Sequence, residues 1–597
     1  MRSFFGLATL LLPAAAAAQV TVTVDPMADV HPISPRIYGM NFAATDQIKG
    51  GRIPFTRWGG NTTTRYNYQI DVANSANDYF FENVAGCWNA AGNYCNPVPT
   101  DPKGQSGANV FLMNAAGMGL DTLFTIPTLG WVAKGPAAYA HPFLCGFPKS
   151  ALPTQDQFDP YDTGCGNGQS GGKNLTPPAA TTTSMAIDTT WTTGWVTYLT
   201  GRFGPAQGRR IYALDNEPNL WSSTHRDVRT TRLTYDELWQ RMRDHAEAIL
   251  QADPTAEIAG PAEWGWPNYL CSDADDISKG CSASSPDRAK HGGQELTAWL
   301  LDQARAYEQQ KGKRILHYLD LHYYPQGGNP PTVTRSLWDP SYTDPSFIND
   351  KIRLIPRMRD WVSQHYPGTK TLLSEYDFYH HNEAVGAITY AEVLGIFGRE
   401  GLDAATAWSP PAATDAAFGA FKLYRNYDGQ GSGFESVSVR ATVNTGGRNV
   451  QAYAAVGPSR ATIVLVNEDA NPADVTVALG SFSATGAAAW FTGNGNAIAR
   501  QADAPIQNNQ TTVRLAGNSF GLVAVDGTAP ALPDFGVPTS TDGGTNPPLN
   551  TPTGCSCRLT TTAEPSPAAA GLGAAALALL LYRLRRRTLA SSTSAQT

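Results

Sequence analysis

Two glutamates stand directly after apolar runs, where the end of a strand can hold a carboxylate in place. Glu217 ends the segment 212–217 and is followed by Pro218, and Glu375 ends the segment 370–375. Hydrolysis of a glycosidic bond needs such a pair, because one carboxyl group protonates the leaving oxygen while the other acts on the sugar or on water. The two groups lie about 5–5.5 Å apart in retaining enzymes and ~6.5–9.5 Å apart in inverting ones. Their spacing along the chain does not give that distance.

The residues beside each glutamate indicate its role. Asn216 precedes Glu217, and in this context we expect Glu217 to be the acid/base and Asn216 to hydrogen-bond the sugar 2-hydroxyl. Burial or nearby negative charge must raise the pKa of Glu217 for it to hold a proton at neutral pH. Glu375 is then the nucleophile, and Tyr376 is expected to donate a hydrogen bond that keeps it ionised and oriented. A single strand-end glutamate is more often a salt-bridge partner or a helix cap, but two of them favour catalysis.

Alternating strand and helix patterns predict the scaffold that positions these glutamates. From about residue 52, short β-branched or apolar runs alternate with amphipathic segments, as in β/α units around a parallel sheet. The predicted helices include 234–252, 294–310 and 349–365. Strands are predicted at 53–58, 122–129, 210–215, 256–261, 318–323, 370–375 and 404–409, with an eighth near 66–72. The fold class is therefore α/β, a TIM-like (β/α)8 barrel over 45–425, whose function lies at the C-terminal ends of its strands.

The sequence pattern changes after residue 426. Short strands separated by Gly, Asn and Asp turns predict an accessory β-sandwich domain, built from residues 20–44 and 426–528. Its strands are predicted at 20–24, 437–443, 450–456, 462–466, 475–479, 487–491, 512–515 and 520–525. Residues 529–553, rich in Pro, Gly, Thr and Ser, are predicted to be a linker.

Both ends of the chain are predicted to be targeting segments. Residues 1–18 combine a basic start, an apolar run and a string of small residues, which is the pattern of a signal peptide. Residues 554–597 contain a Cys-Ser-Cys motif, an apolar stretch and an Arg cluster, a layout that resembles the myxobacterial C-terminal sorting tag. A plain membrane anchor is the alternative. We therefore expect an exported protein, extracellular or held at the cell surface, whose C-terminal segment engages the membrane or sorting machinery.

Composition narrows the class of partner. The 597 residues carry 44 basic and 51 acidic side chains, and only 16% are charged while 10% are aromatic. Without both predicted end segments, 38 basic residues face 50 acidic ones. An acidic chain with no basic run in its body is poorly suited to hold phosphate backbones, so no nucleic-acid partner is expected. A neutral polymer held by aromatic faces suits this composition better.

Six cysteines lie in the body of the chain at close spacings. They are Cys87, Cys95, Cys145, Cys165, Cys271 and Cys281. Six cysteines allow 15 pairings, so the sequence does not fix the connectivity. In an oxidising compartment, three local bridges between neighbours are the simplest interpretation. No CxxC pair or zinc-type His spacing accompanies them, which argues against a structural zinc site.

Further residues near strand ends are candidates for sugar binding. The aromatic candidates are Trp58, Trp131, Trp221, Trp264, Tyr324 and Trp408. Core packing is the alternative for any one of them, but as a set they favour a cleft for several sugar units. His322 is a candidate for hydrogen bonding near the cleavage point, with a structural histidine as the alternative. Asn61 and Arg65 are candidates to hold hydroxyls or Glu375, with an ordinary surface role as the alternative for Arg65.

Taken together, motifs along the barrel resemble those of glycoside hydrolase family 44, the endo-β-1,4-glucanases and xyloglucanases. The resemblance covers roughly residues 30–530. Its motifs begin with Arg57-Trp58-Gly59-Gly60-Asn61, Ile126-Pro127-Thr128-Leu129-Gly130-Trp131 and Leu214-Asp215-Asn216-Glu217-Pro218. They continue with His322-Tyr323-Tyr324-Pro325, Leu337-Trp338-Asp339-Pro340 and Glu375-Tyr376-Asp377.

The resemblance implies a TIM-like barrel with a β-sandwich from both chain ends, and a retaining mechanism with Glu217 as acid/base and Glu375 as nucleophile. The substrate is expected to be a β-glucan polysaccharide. No cofactor is required for catalysis, although the resemblance allows a structural calcium ion whose ligands no motif identifies. The cysteine pairs and the Gly-rich insertion around 163–173 depart from the family pattern.

The leading hypothesis is a retaining endo-β-1,4-glucanase acting, as a monomer, on cellulose-type glucan or xyloglucan. The alternatives are the same chemistry on xylan or mannan, and a catalytically silent glycan-binding surface protein. Motifs for other functions are weak. The GxSxG string at 168–172, which serine hydrolases share, lies in a Gly-rich loop rather than between a strand and a helix. His380-His381 is interpreted as a pair of surface histidines rather than a metal site.

Overall fold

A computed structural model describes residues 20–85, 106–135, 143–533 and 535. The predicted signal peptide, Cys87, Cys95 and the predicted C-terminal targeting segment lie outside these residues. Within the described part, the chain forms two compact units. One contains residues 33–379 and 400–413, and the other contains residues 20–32, 380–399 and 414–533.

The first unit is a closed barrel of eight parallel strands that follow one another in chain order. After β1 (Val20–Asp25), which lies in the second unit, the barrel strands are β2 (Gly39–Asn41), β3 (Phe55–Trp58), β4 (Asp121–Ile126), β5 (Arg210–Leu214), β6 (Glu257–Glu263), β7 (Tyr318–Tyr323), β8 (Lys370–Tyr376) and β9 (Ala404–Ala407). One strand after another contributes a buried apolar side chain to the interior, including Phe55, Leu123, Ile211, Tyr318 and Leu372. This core fills the barrel, so chemistry is confined to its ends.

The first barrel strand is Gly39–Asn41, and the prediction of a strand at 66–72 is wrong. In that segment Asp71 has a φ of 55°, and Val72–Asn74 pairs with Asn83–Ala85 in a separate hairpin. The real first strand is only three residues long and lacks an apolar β-branched run. Its packing is nevertheless tight, because a Cβ on Gly39 would lie 2.5 Å from the carbonyl oxygen of Ala405.

Helices follow the strands of the barrel. In the first unit they are α1 (Thr45–Gly51), α2 (Gly107–Gly117), α3 (Thr189–Phe203), α4 (Tyr235–Ala252), α5 (Leu296–Lys311) and α6 (Leu354–His365). Short helices also occur at Asn61–Thr64, Trp221–Thr224, Trp266–Leu270 and Pro286–Lys290. The Thr234 side chain accepts a hydrogen bond from the backbone N–H of Glu237 at 3.3 Å, which caps the start of α4.

The second unit is a mixed sheet folded into two layers. Its main strands are β1, β10 (Val437–Asn444), β11 (Val450–Val456), β12 (Arg460–Asn467), β13 (Ala473–Ala478), β14 (Ala489–Gly493), β15 (Gln510–Leu515) and β16 (Ser519–Thr528). The start of β10 pairs with β11 and its remainder pairs with β1, so this strand passes from one layer to the other. Val22 and Val477 of one layer share a core with Ile463 and Val523 of the other.

Two helices, α7 (Ala384–Arg399) and α8 (Phe418–Arg425), belong to this second unit. Helix α7 packs against β10, β11, β12 and β16. Gly395 makes this approach close, because a Cβ there would lie 2.4 Å from the ring of Tyr453. The predicted α/β barrel with an accessory β domain is thus confirmed.

Two disulfides connect neighbouring cysteines, as the simplest interpretation of the sequence predicted. They are Cys145–Cys165 and Cys271–Cys281. Among the residues that the structure describes, no helix has the length and apolar character needed to span a membrane.

Candidate active site

Glu217 and Glu375 lie at the same end of the barrel. Glu217 follows β5 in a sharp turn, and Asp215 and Glu217 both have positive φ, 68° and 44°. The turn is held by the Asp215 carboxylate, which accepts hydrogen bonds from the backbone N–H groups of Thr128 and Leu129. Glu375 stands near the end of β8. Because the strands are parallel, their C-terminal ends bring both side chains to one mouth.

The two carboxyl groups are close enough for direct attack on a bound sugar. Oxygens of Glu217 and Glu375 and a ring nitrogen of His322 all lie within 4.8 Å of one another. Retaining enzymes separate their carboxyl groups by about 5–5.5 Å, and inverting enzymes need at least ~6.5 Å for the intervening water. The separation here therefore fits retention.

Glu375 is surrounded by hydrogen-bond donors. Arg57 Nη1 donates to Glu375 Oε1 at 2.6 Å, and the Tyr324 hydroxyl donates to Glu375 Oε2 at 2.6 Å. Charge-assisted bonds of this kind are strong and fix the carboxylate in one orientation. The structure gives the tyrosine bond to Tyr324 rather than to Tyr376. Tyr376 is the next residue along β8 after Glu375 and its side chain is fully buried, consistent with the alternation of side chains along a strand.

Glu217 has a different environment. Burial raises the pKa of Glu217 to about 7, against the opposing positive charge of Arg57. Its Oε1 lies 2.9 Å from Nδ1 of His322, and Nε2 of the same ring lies 3.0 Å from the Ser374 hydroxyl. Burial also lowers the pKa of His322 to about 3, with Glu375 opposing and Arg57 adding to the effect. A neutral imidazole therefore lies beside a carboxyl group that can hold a proton near neutral pH.

A chain of hydrogen bonds runs from the nucleophile candidate to a third carboxylate. Arg57 Nη2 donates to Asn216 Oδ1 at 2.7 Å, and Asn216 Nδ2 donates to Asn61 Oδ1 at 3.1 Å. Asn61 Nδ2 in turn donates to Asp78, with oxygens at 3.0 and 3.2 Å. Burial raises the pKa of Asp78 to about 6; the hydrogen bond from Asn61 opposes this effect, and the charges of Glu217 and Glu375 add to it.

The aromatic candidates separate into buried and accessible side chains. Trp221 is 1% exposed and Trp58 8% exposed, so neither fits the expected role as a sugar platform. Trp221 instead donates from Nε1 to the backbone oxygen of Asn216 at 3.1 Å, and Trp58 packs in a cluster with other aromatic rings. The partly exposed members of the set are Trp131, Trp264, Tyr324 and Trp408.

Trp408 lies beside Arg57, the arginine that holds Glu375. The Arg57 guanidinium lies 6.0 Å from the centre of its ring. Gly60, with a φ of 96°, lets the ring approach, since a Cβ there would lie 2.5 Å from it. Trp264 and Tyr324 line a groove together with Trp266, Tyr323 and Phe347.

Arg65 does not contact Glu375. Its side chain is fully buried and forms an ion pair with Asp227 at 3.0 Å, and its Nη2 donates to Ser184 at 2.6 Å. The arginine on Glu375 is Arg57, which sequence reasoning quoted within a motif but did not single out. The available signal was a charged residue inside a buried strand, because such a residue requires a partner.

A second acidic cluster lies apart from the two catalytic candidates. Glu82, Asp159 and Asp162 are at most 7% exposed, and an oxygen of Glu82 lies within 4.8 Å of one of Asp162. Burial, with Asp159 and Asp162 adding to it, raises the pKa of Glu82 to about 9. Within the part of the chain that the structure describes, no hydrogen-bond partner reaches the buried oxygens Glu82 Oε1 and Asp159 Oδ2. The nearby Cys165 sulfur is bonded to Cys145, so the available ligands are oxygens, which fit a hard cation such as Ca²⁺.

Comparison with known proteins gives matches over most of the chain. The family model described as Glycoside hydrolase family 44 matches residues 72–327. Endoglucanase A of Paenibacillus lautus is 30% identical over 550 residues, which cover 85% of this chain and 73% of that protein.

Solved structures match at the same extent. CelM2, a bifunctional glucanase-xylanase protein from a metagenome library, has a TM-score of 0.79 at 35% identity and covers 85% of this chain and 99% of its own. A Paenibacillus polymyxa xyloglucanase from glycoside hydrolase family 44 has a TM-score of 0.68 at 25% identity, with 85% of this chain and 100% of its own covered.

Proposed function

The chain belongs to glycoside hydrolase family 44, a family of retaining glycosidases, and from that membership we propose that it is an endo-acting hydrolase of β-1,4-glucan backbones, including xyloglucan. The observation that carries the proposal is the pair Glu217 and Glu375, whose oxygens lie within 4.8 Å of each other in opposite environments. One group has donors suited to a carboxylate, and the other has a pKa suited to a proton carrier. This division of roles is what double displacement needs.

In the first step Glu375 attacks the anomeric carbon while Glu217 protonates the leaving oxygen. Arg57 and Tyr324 each donate a hydrogen bond to one oxygen of the Glu375 carboxylate and so fix its orientation. Because the carboxylate is already oriented, less entropy is lost on reaching the transition state. At pH 6 to 7 at least about half of Glu217 is protonated, given its pKa of about 7. The products are a covalent glycosyl-enzyme and a shortened chain.

In the second step Glu217, now a carboxylate, takes a proton from water as the water attacks the glycosyl-enzyme. His322 stays neutral throughout, because its pKa of about 3 lies far below the working range. Its Nδ1 therefore accepts a hydrogen bond from protonated Glu217 in the first step. In this tautomer Nε2–H donates to the Ser374 hydroxyl.

The polymer is held by the partly exposed aromatic side chains at this end of the barrel. Trp408 beside Arg57 and the groove lined by Trp264 and Tyr324 lie next to the carboxylates. Aromatic faces suit the C–H surfaces of glucosyl rings. Asn216 and Asn61 are held by the network around Arg57, and we keep Asn216 as the candidate partner of the sugar 2-hydroxyl.

The test measures reducing sugar released from carboxymethyl cellulose, xyloglucan, xylan and mannan. Wild type is compared with Glu217→Gln and Glu375→Gln, which keep side-chain size but remove the acid and the nucleophile. We expect both variants to lose at least roughly a thousandfold in kcat on poor leaving groups. Equal release by all three proteins would contradict the assignment, and no release by wild type would favour a silent glycan-binding protein.

Azide distinguishes the two roles. With Glu217→Ala, azide should attack the glycosyl-enzyme and give a product with the β configuration of the substrate. With Glu375→Ala, azide should enter in place of the missing nucleophile and give the α-glycosyl azide. NMR of the two azides therefore assigns each glutamate, and exchanged products would reverse the roles.

Xylan is the second candidate substrate. The observation that favours it is the match to CelM2, a bifunctional glucanase-xylanase protein. The rates on xylan and glucan, measured with one enzyme preparation, decide between a glucan-specific and a bifunctional enzyme.

We also propose a structural cation at Glu82, Asp159 and Asp162, with no part in the bond-breaking steps. Its role would be to neutralise three buried carboxylates. The support is an all-oxygen cluster in which two buried oxygens, Glu82 Oε1 and Asp159 Oδ2, have no hydrogen-bond partner among the described residues. Calorimetric titration with Ca²⁺ should show one site in the chelated wild type and none in Asp159→Asn.

The location of the protein is proposed from the sequence alone. We propose export through residues 1–18, attachment at the cell surface through residues 554–597, and a monomeric enzyme. N-terminal sequencing of the mature protein, cell fractionation and light scattering test these three points separately.

A further inference from the structure

We propose that Asp78 is a positioning residue that fixes the orientation of the nucleophile Glu375 through the chain Asp78–Asn61–Asn216–Arg57. This inference rests on the proposed function and deepens it. These four residues are not consecutive in the sequence. Each is nevertheless within hydrogen-bond distance of the next, and Arg57 is within hydrogen-bond distance of Glu375.

The chain has only one consistent direction. A carboxylate can only accept and a guanidinium can only donate. Asp78 therefore turns the Asn61 amino group toward itself, and the Asn61 oxygen then faces Asn216. Asn216 must donate to that oxygen, so its own oxygen faces Arg57. Turning either amide over would place two acceptors or two donors against each other.

Arg57 depends on this chain because it has few other supports. Nη1 is shared between Glu375 at 2.6 Å and Asn41 at 3.1 Å, while Nη2 is held by Asn216. The Arg57 Nε is buried without a hydrogen-bond partner in the described residues. The rigid guanidinium plane therefore takes its rotation from Asn216, and that rotation sets the direction from which Nη1 meets Glu375.

Asp78 stands in a loop that has its own anchors. Arg226 donates to the Asn77 side chain at 2.6 Å, and the Tyr79 hydroxyl donates to Asp159 at 2.7 Å. The backbone N–H of Asp78 donates to the carbonyl oxygen of Ser75. None of these bonds uses the Asp78 carboxylate, so Asp78→Asn should keep the loop in place.

The first experiment measures kcat/KM of Asp78→Asn on aryl cello-oligosaccharides with good and poor leaving groups. A misplaced nucleophile slows bond formation whatever the leaving group, so we expect a loss of roughly ten- to hundredfold on both. Glu217→Gln should instead lose far more on poor leaving groups, since good ones need no proton. A Glu217-like dependence, or an unchanged kcat/KM, would overturn the proposal.

A double-mutant cycle tests the chain itself. If Asp78 acts through Asn61, then Asp78→Asn combined with Asn61→Ala should lose no more than the larger single loss. Losses that multiply, or an Asp78→Asn effect confined to KM, would show direct contact with the sugar and contradict the relay. The matched control is Asp46→Asn, at an exposed position in α1, which should keep wild-type kcat/KM.

The experiments distinguish a failure of the proposed function from a failure of the role of Asp78. Circular dichroism and thermal denaturation show whether each variant is folded. If Asp78→Asn is not folded, Asp78→Glu replaces it in the same assay. An inactive wild type would refute the proposed function. An active wild type with an equally active Asp78→Asn would refute only the role of Asp78.

Discussion

The ionisation of Glu217 should make the folded protein less stable as pH rises, and replacing Glu217 with a residue that does not ionise should abolish this contribution. The pKa of Glu217 is about 7 in the folded protein, against 4.5 for an unperturbed glutamate. Between these values the folded state holds the proton and the unfolded state releases it. The free energy of unfolding therefore falls as pH rises through the window from about 4.5 to about 7.

The size of the effect follows from the two pKa values. The pKa of Glu217 differs by about 2.5 between the folded and unfolded states, which corresponds to about 3 kcal/mol. The free energy of unfolding is lowered by this full amount above pH 7. Glutamine has nearly the same shape as glutamic acid and does not ionise. Glu217→Gln should thus be more stable than wild type by up to about 3 kcal/mol at pH 8, and nearly equal to it at pH 4.5.

Urea denaturation at pH 4.5, 6 and 8, followed by tryptophan fluorescence, measures this difference. The control is Glu383→Gln, whose side chain is 63% exposed and should give no comparable trend. A gap between Glu217→Gln and wild type that is the same at pH 4.5 and pH 8 would refute the reasoning, because the ionisation of Glu217 would then carry no cost in the fold.

Three other outcomes are expected. Since Glu217 must be protonated in the first step, wild-type kcat/KM should fall above pH 7 with an apparent pKa of about 7, and a profile flat to pH 9 would contradict this. Trp408→Ala should raise KM for polymer with little change in stability, while Trp221→Ala should lose ~3–5 kcal/mol of unfolding free energy, both measured on purified proteins. Arg65→Met should cost ~3–5 kcal/mol in urea denaturation, because it leaves buried Asp227 unpaired, and a neutral result would contradict that pairing.

The strands were predictable where burial demanded an apolar run. Strands β7 and β11 begin and end at the predicted residues, because one face of each strand, or both, lies in a core. Strand β2 was missed because three residues, Gly39 to Asn41, carry no such pattern. These residues form a strand because they pair with β3 and β9, and their own strand propensity does not predict it.

The site was predictable at strand ends and not in loops. The sequence could place Glu217 and Glu375 at one barrel mouth because Glu217 directly follows a strand region and Glu375 stands near the end of β8. Asp78 lies in a short loop whose position depends on distant contacts, such as Tyr79 with Asp159, so its sequence carries no signal. Trp221 was misjudged because a strand end does not tell which way a ring turns, and this ring turns inward.

The position of β1 in the sheet constrains how the protein can be made. Val20–Asp25 is an interior strand, antiparallel to β10 and parallel to β13. Its partners are more than 400 residues later in the chain. Val20–Asp25 therefore cannot complete its pairing with β10 before the ribosome has synthesised residue 444, or its pairing with β13 before residue 478. A protein that is threaded through a membrane before it folds meets this condition naturally. A rigid domain fused directly before Val20 would instead lie next to the two strands that flank β1, where it would hinder their pairing with β1.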